Sequence, residues 1–219
     1  MSAGSIVAWG GGTFVFDLDG TISDPAEGIG RSINHALTAM GFAALGEDDV
    51  SACIGPPLDV SFRRLTNIAE PAAAARFVAL YRERYAAVGY AENRLYDGIP
   101  AALGALSARG VRLGLCTSKR VDFAEQILAL FGLRDHFAFV SGGDIGISKT
   151  DQLRDLLTRG AIDARATMIG DRDIDVHAAR AHGLASVGVL WGHGSEAELR
   201  AAAPDRLLAD PVELLALAG

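Results

Sequence analysis

The stretch Phe14-Val-Phe-Asp17-Leu-Asp19-Gly-Thr21 sets two carboxylates and a hydroxyl at alternate positions where an apolar strand runs out. Side chains two apart on a strand share a face, so Asp17, Asp19 and Thr21 converge. Three chemistries are open to such a group: binding a divalent cation through oxygen, supplying a carboxylate nucleophile, or dividing acid and base duties between carboxyls of different pKa. Gly20 favours a turn there. The bland alternative is an edge strand whose aspartates merely meet solvent.

Three more segments carry groups of the same kind. Leu113-Gly-Leu-Cys116-Thr117-Ser118-Lys119 is a strand ending in hydroxyl residues and a cation, Lys149 stands alone in Ile147-Ser-Lys-Thr150, and Met168-Ile-Gly170-Asp171-Arg-Asp173-Ile-Asp175 is acidic beyond another apolar strand. Of the 20 basic residues only Lys119 and Lys149 are lysine, and both fall inside these segments. A compact, strongly hydrated ammonium suits a phosphoryl group where a planar guanidinium would impose its own geometry.

The four segments, in this chain order, resemble the motifs of the haloacid dehalogenase superfamily of phosphotransferases, and the resemblance covers nearly the whole chain after Gly12. It implies that Asp17 is a nucleophile forming an aspartyl-phosphate, that Asp19 protonates the leaving oxygen and then activates water, and that Lys149 completes the catalytic set. It places Thr117, Ser118 and Lys119 on the phosphoryl oxygens. Mg2+ is implied at Asp17, Asp19 (through its backbone carbonyl) and Asp171, with Asp175 and Thr21 supporting the site from behind and Asp173 a surface or helix-start residue. Superfamily members that are metal-free dehalogenases lack the second aspartate, so Asp19 favours phosphomonoester hydrolysis. The chain looks most like phosphoglycolate phosphatases and neighbouring 5'-nucleotidases. A sugar-phosphate mutase and a non-catalytic module keeping only the fold are the other readings. Thr150 departs from the proline many relatives have after the lysine, and Ile22 from leucine.

Strand patterns near Thr13 to Phe16, Val111 to Cys116, Phe137 to Val140, Ala166 to Ile169 and Ala185 to Leu190 alternate with helical periodicity over Val121 to Phe131, Asp151 to Arg159 and Asp173 to His182. This alternation predicts an α/β fold with a doubly wound parallel sheet, whose ligands gather beyond the carboxyl ends of the strands. The block 24–95 breaks it. Ile29, Ile33, Leu37 and Met40 recur with helical spacing, and a second helix is expected from Pro71 to Val88 with Phe77, Leu80, Tyr81 and Tyr85 on one side. By resemblance this insert is a helical cap of the C1 type between core segments 1–23 and 96–219, hinged near Ile22 to Pro25 and Asn93 to Gly98. Its turn Ile54-Gly55-Pro56-Pro57 makes Gly55 and Arg63 or Arg64 candidates for contacts with the leaving group.

At 219 residues and 50% hydrophobic content the chain can bury a sizeable core. Its net charge of −7 argues against nucleic acid or an anionic membrane as partner, so an anionic substrate must be caught by local cations. The apolar patch Ile6-Val-Ala-Trp9 has no basic residue before it and does not read as a secretory signal. Cys53 and Cys116 are too few for a disulfide framework, and Cys116 is expected to pack inertly. The five histidines show no metal-ligand spacing, and no chemistry is assigned to Trp191-Gly192-His193-Gly194. The expectation is a cytoplasmic enzyme, monomer or weak homodimer, acting on a small phosphorylated metabolite.

Overall fold

Strand β1 (Phe14–Phe16) lies at the centre of a six-stranded parallel sheet because every one of its residues is buried from both sides. It pairs with β4 (Leu113–Thr117) on one side and β6 (Thr167–Gly170) on the other, with Phe16 level with Leu115 and Ile169. Outside these lie β5 (Phe137–Gly142), then β7 (Ala185–Val189) and β8 (Arg206–Leu208), giving the order β5-β4-β1-β6-β7-β8. Continuous apolar strands suit a sheet covered on both faces. Phe14, Phe16, Leu115, Ile169 and Val187 fill the core on one face, while Val15, Cys116 and Met168 pack on the other. Gly114 interrupts β4 because a Cβ there would lie 2.1 Å from the Phe139 ring. The computed structural model describes residues 11–144 and 146–218; the apolar patch Ile6 to Trp9 lies outside them.

The helices flanking the sheet are α5 (Ile99–Ala108), α6 (Val121–Leu130), α7 (Lys149–Thr158), α8 (Asp173–Ala181) and α9 (Glu196–Ala202). Helix α7 starts two residues earlier than its periodicity predicts. Ser148 caps it by accepting from the Asp151 amide, and the Asp151 carboxylate takes the Ser148 amide in return, which makes Lys149 the first helical residue. β8 was not expected from the sequence. Only three residues long and half-buried at the sheet edge, it carries too little apolar pattern to be read alone.

Between β1 and β4 the chain builds α1 (Ala26–Ala39), α2 (Glu47–Ser51), α3 (Leu58–Thr66) and α4 (Pro71–Ala87), where two helices were expected. Pro71 opens α4 at a position where its missing N–H leaves no bond unmade, and Asn67 ends α3 in the left-handed conformation (φ 58°). These helices enclose their own apolar core of Ile33, Leu37, Phe62, Phe77, Tyr81 and Tyr85, as the periodicity implied. One residue of the sheet layer joins it, Phe123 of α6, edge-on to Tyr85 with ring centroids 5.1 Å apart. The two crossings into the insert, where hinges were expected, form an antiparallel ribbon of β2 (Ser23–Asp24) and β3 (Arg94–Leu95). No helix among the described residues is long and apolar enough to cross a membrane.

Candidate active site

β1, β4 and β6 end side by side, and their carboxyl ends deliver Asp17, Thr117 and Asp171 to one place. The Asp17 carboxylate, 2% exposed, is fixed at both oxygens: Oδ1 accepts from the Leu18 amide at 2.7 Å, and Oδ2 lies 2.9 Å from Lys149 Nζ. The same ammonium pairs with Asp175 Oδ1. Lys149 therefore bridges two carboxylates from opposite ends of the site. Burial opposes its charge, but Asp17 and Asp175 outweigh burial and hold its pKa above the ordinary lysine value.

Asp171 is completely buried. Its Oδ1 accepts from Thr21 Oγ1 at 3.3 Å and its Oδ2 from the His193 amide at 2.8 Å. Burial first, and the charge of Asp17 second, push its pKa up to about 7. Burial also raises Asp175, against the pull of Lys149. Oxygens of Asp17, Asp171 and Asp175 all lie within 4.8 Å of one another. Three buried carboxylates faced by one ammonium leave about two negative charges uncompensated, a donor set that fits a hard divalent cation. Among side chains Asp175 joins Asp17 and Asp171 in this cluster, while the Asp19 carboxylate, whose expected part was through its backbone carbonyl, lies outside it. Asp175 comes so close because Gly170 has no side chain; a Cβ there would sit 2.1 Å from Asp175 Cγ.

Asp19 turns the other way, under the helical insert. Its Oδ2 pairs with Lys119 Nζ at 2.9 Å, while Oδ1 is buried without a partner. Burial raises its pKa more than Lys119 lowers it. Lys119 Nζ also donates to Tyr85 Oη of α4 at 2.7 Å, so the insert reaches Asp19 through one lysine. Both lysines of the chain are thus buried on site aspartates. Thr117 Oγ1 accepts from the Lys119 amide at 3.2 Å, and Thr117 and Ser118 line the same cavity as Asp17 and Asp19.

On the insert side the cavity meets Gly55, Pro56, Pro57 and Leu58. Gly55 adopts φ +99°, and a Cβ there would press on Arg172. Arg172 donates to the Ile54 carbonyl and is held from behind by Glu198 Oε1 at 2.7 Å, tying the turn to the Asp171 segment. Arg63 and Arg64 are not where the sequence reading placed them. Arg63 pairs with Asp59 on the exposed side of α3, Arg64 approaches Cys53 Sγ at 3.3 Å, and neither lines the cavity. Asp173 starts α8, its amide donating to Glu198 Oε1 at 3.1 Å. Cys116 is inert as expected, burial pushing its thiol up to about 12.

Sequence reasoning passed over the 191–194 loop. Trp191 Nε1 donates to the Thr21 carbonyl at 3.0 Å, the His193 amide holds Asp171, and His193 Nε2 lies 3.0 Å from Asp24 Oδ1 on β2. Gly194 is required because a Cβ would fall 1.8 Å from the Asp171 carbonyl. The signal available was the Gly-x-Gly pair one loop after a strand. Gln152, which donates to the Thr117 carbonyl at 3.1 Å, left no signal.

A model of the haloacid dehalogenase-like hydrolases matches residues 14–189, and the chain belongs to that family. It is a phosphatase of the family. A 5'-nucleotidase from Pseudomonas aeruginosa is 41% identical over 203 residues, covering 90% of both chains. A tyrosine-protein kinase from Mycobacterium tuberculosis is 40% identical over 82% of this chain and 62% of its own length. A phosphoglycolate phosphatase from Yersinia pseudotuberculosis is 34% identical, covering 93% and 91%. The crystal structure of a predicted phosphatase from Clostridium acetobutylicum superposes with a TM-score of 0.88 at 35% identity, covering 93% of this chain and 96% of that one.

Proposed function

We propose that the chain is a Mg2+-dependent hydrolase of small phosphomonoesters, working through an aspartyl-phosphate on Asp17, with residues 24–95 acting as a cap over the site. The observation that carries this reading is the opposite setting of two aspartates two residues apart. Asp17 faces the carboxylate cluster and Lys149, while Asp19 lies beneath the insert with one oxygen unpartnered and its pKa raised. Paired carboxyls whose surroundings differ in this way divide nucleophile from acid.

Asp17 attacks phosphorus, the ester P–O bond breaks, and the leaving oxygen takes the proton of Asp19. Asp19, now ionised, accepts a proton from the water that attacks the acyl phosphate, releasing inorganic phosphate and the free Asp17 carboxylate. Lys149 and the Thr117 hydroxyl hold the transferring oxygens, and Asp175 keeps Lys149 in place. Asp17, Asp171 and Asp175, with the Asp19 carbonyl, would hold Mg2+, which would supply positive charge to the phosphoryl oxygens. Phosphoglycolate and nucleoside monophosphates are the substrates to which the relatives point.

The test is a screen of small phosphomonoesters with Mg2+ and with excess chelator. Hydrolysis that disappears on chelation and returns with Mg2+ is expected, and full turnover in chelator would refute the cation's role.

A second expectation needs no substrate. The raised pKa of Asp171 means that, without a cation, the folded protein binds more protons than the unfolded chain between about pH 4 and pH 7, so stability falls as pH rises through that window. The effect is at most ~4 kcal/mol for a shift of about three units. A cation competes with those protons. The increase in Tm on adding Mg2+ should therefore be larger at pH 8 than at pH 5.5, and an equal or smaller increase at pH 8 would contradict the assignment.

A further inference from the structure

Resting on the phosphatase reading above, we infer that this site takes phosphomonoesters whose leaving group is an uncharged, partly apolar alcohol, and discriminates against a leaving group that carries its own carboxylate.

The argument begins with the cations. Three line the cavity over Asp17 and Asp19, namely Lys119, Arg82 and Arg120, and each is already paired with a carboxylate of this chain. Lys119 holds Asp19 at 2.9 Å, Arg82 holds Asp144 at 2.6 Å across from α4 to the loop after β5, and Arg120 holds Asp122. The same wall carries the carboxylates of Asp17, Asp19, Asp59 and Asp144. Asp17 is met by Lys149 and Asp59 by Arg63, so acids and bases balance and no cation of the wall is left over for a second anionic group. Arg63, which the sequence offered as a cation for the leaving group, does not line the cavity and is spent on Asp59, which does.

A carboxylate on the leaving group would have to draw one of these cations from its partner. Taking Lys119 would deprive Asp19, whose side chain is only 10% exposed, of the partner it needs once it has given up its proton, leaving a buried unpaired charge in the middle of the reaction. The pairs of Arg82 and Arg120 are more exposed and more weakly held, yet they sit beside acids that repel an incoming anion. A neutral alcohol meets none of this. The insert's contribution to the wall is Ile29, Pro56, Pro57, Leu58 and Val78, with the Tyr81 and Tyr85 rings stacked 5.2 Å apart, a surface that gains by covering carbon. On hydrolysis the alcohol leaves neutral with the proton from Asp19, and water supplies the fourth oxygen of inorganic phosphate.

The experiment compares kcat/KM, in Mg2+, for phosphoglycolate, for 2-hydroxyethyl phosphate, which replaces the carboxylate by an alcohol, and for a nucleoside 5'-monophosphate. 4-Nitrophenyl phosphate serves as a reference. Both esters of uncharged alcohols should exceed phosphoglycolate by about tenfold or more, the scale of like-charge discrimination in a partly buried site. Equal or better turnover of phosphoglycolate overturns the inference while leaving the phosphatase reading intact. Failure of all four esters, the reference included, overturns that reading and the inference with it. In Asp59→Asn, the ratio of phosphoglycolate to 2-hydroxyethyl phosphate turnover should rise several-fold, since one acid of the wall is neutralised and Arg63 is left without its carboxylate. An unchanged ratio would show that the charge on the wall does not select the leaving group.

Discussion

Asp17→Asn should lose at least about 10³-fold in kcat, because an amide oxygen cannot form the acyl phosphate, and removal of a covalent nucleophile costs on this scale or more. The replacement is the same size, so packing against β4 and β6 should hold. It is not neutral for the local hydrogen bonds, however. Asp17 offers one oxygen to the Leu18 amide and the other to Lys149, whereas asparagine has a single acceptor for two donors. A modest stability loss of about 1–2 kcal/mol follows, and the Mg2+-induced rise in Tm should shrink, since one carboxylate of the cluster is gone. Loss of turnover in a variant that still melts cooperatively places the defect in chemistry and not in folding. The direct check is rapid acid quench of the native enzyme with substrate, followed by mass spectrometry of the peptide holding Asp17. Near-native turnover by Asp17→Asn would remove covalent catalysis through this residue from the mechanism.

Asp17 and Asp171 could be picked out from sequence because each stands at the end of an apolar run, where a strand must stop and a polar group must find a partner, and Lys149 because it is one of only two lysines in the chain. Alternation of strand and helix then brings those ends together, since neighbouring parallel strands present the same end of the sheet. What could not be read is what depends on contact at long range. Asp175 and Asp19 are both acids near a motif, and only packing decides that Asp175 enters the carboxylate cluster through the space left by Gly170 while Asp19 turns to Lys119. The 191–194 loop holds Asp171 through the His193 backbone amide, which marks the sequence only by the Gly-x-Gly pair around it. The setting of Arg63 could not be read for a related reason. An aspartate one helical turn earlier on α3 offers a partner at the favoured i,i+4 spacing, and local pairing prevailed over the cavity.

Lys149→Arg keeps the charge yet should lose about 10²-fold or more in kcat, the scale on which one aimed donor to a transition-state oxygen contributes. The ammonium is 4% exposed, wedged between Asp17 and Asp175 at the first residue of α7, with the Ser148–Asp151 capping box fixing the backbone behind it. A guanidinium is longer and planar, and it can satisfy those carboxylates only by moving them or itself. Lys149→Met provides the necessary contrast. It preserves volume but leaves Asp17 and Asp175 buried with no counter-charge, which should destabilise the cation-free protein by about 3–5 kcal/mol. Stability should therefore fall in the order native, arginine, methionine, whereas activity should be low in both variants. Because the Lys149 pKa is held above its ordinary value, the stability it confers is fully present below about pH 10, so the ordering should not change between pH 6 and pH 8. If activity followed stability, with the arginine variant close to native, positive charge alone would suffice at this position. The restriction of lysine to Lys119 and Lys149 in a chain otherwise supplied with arginine would then be an accident of composition.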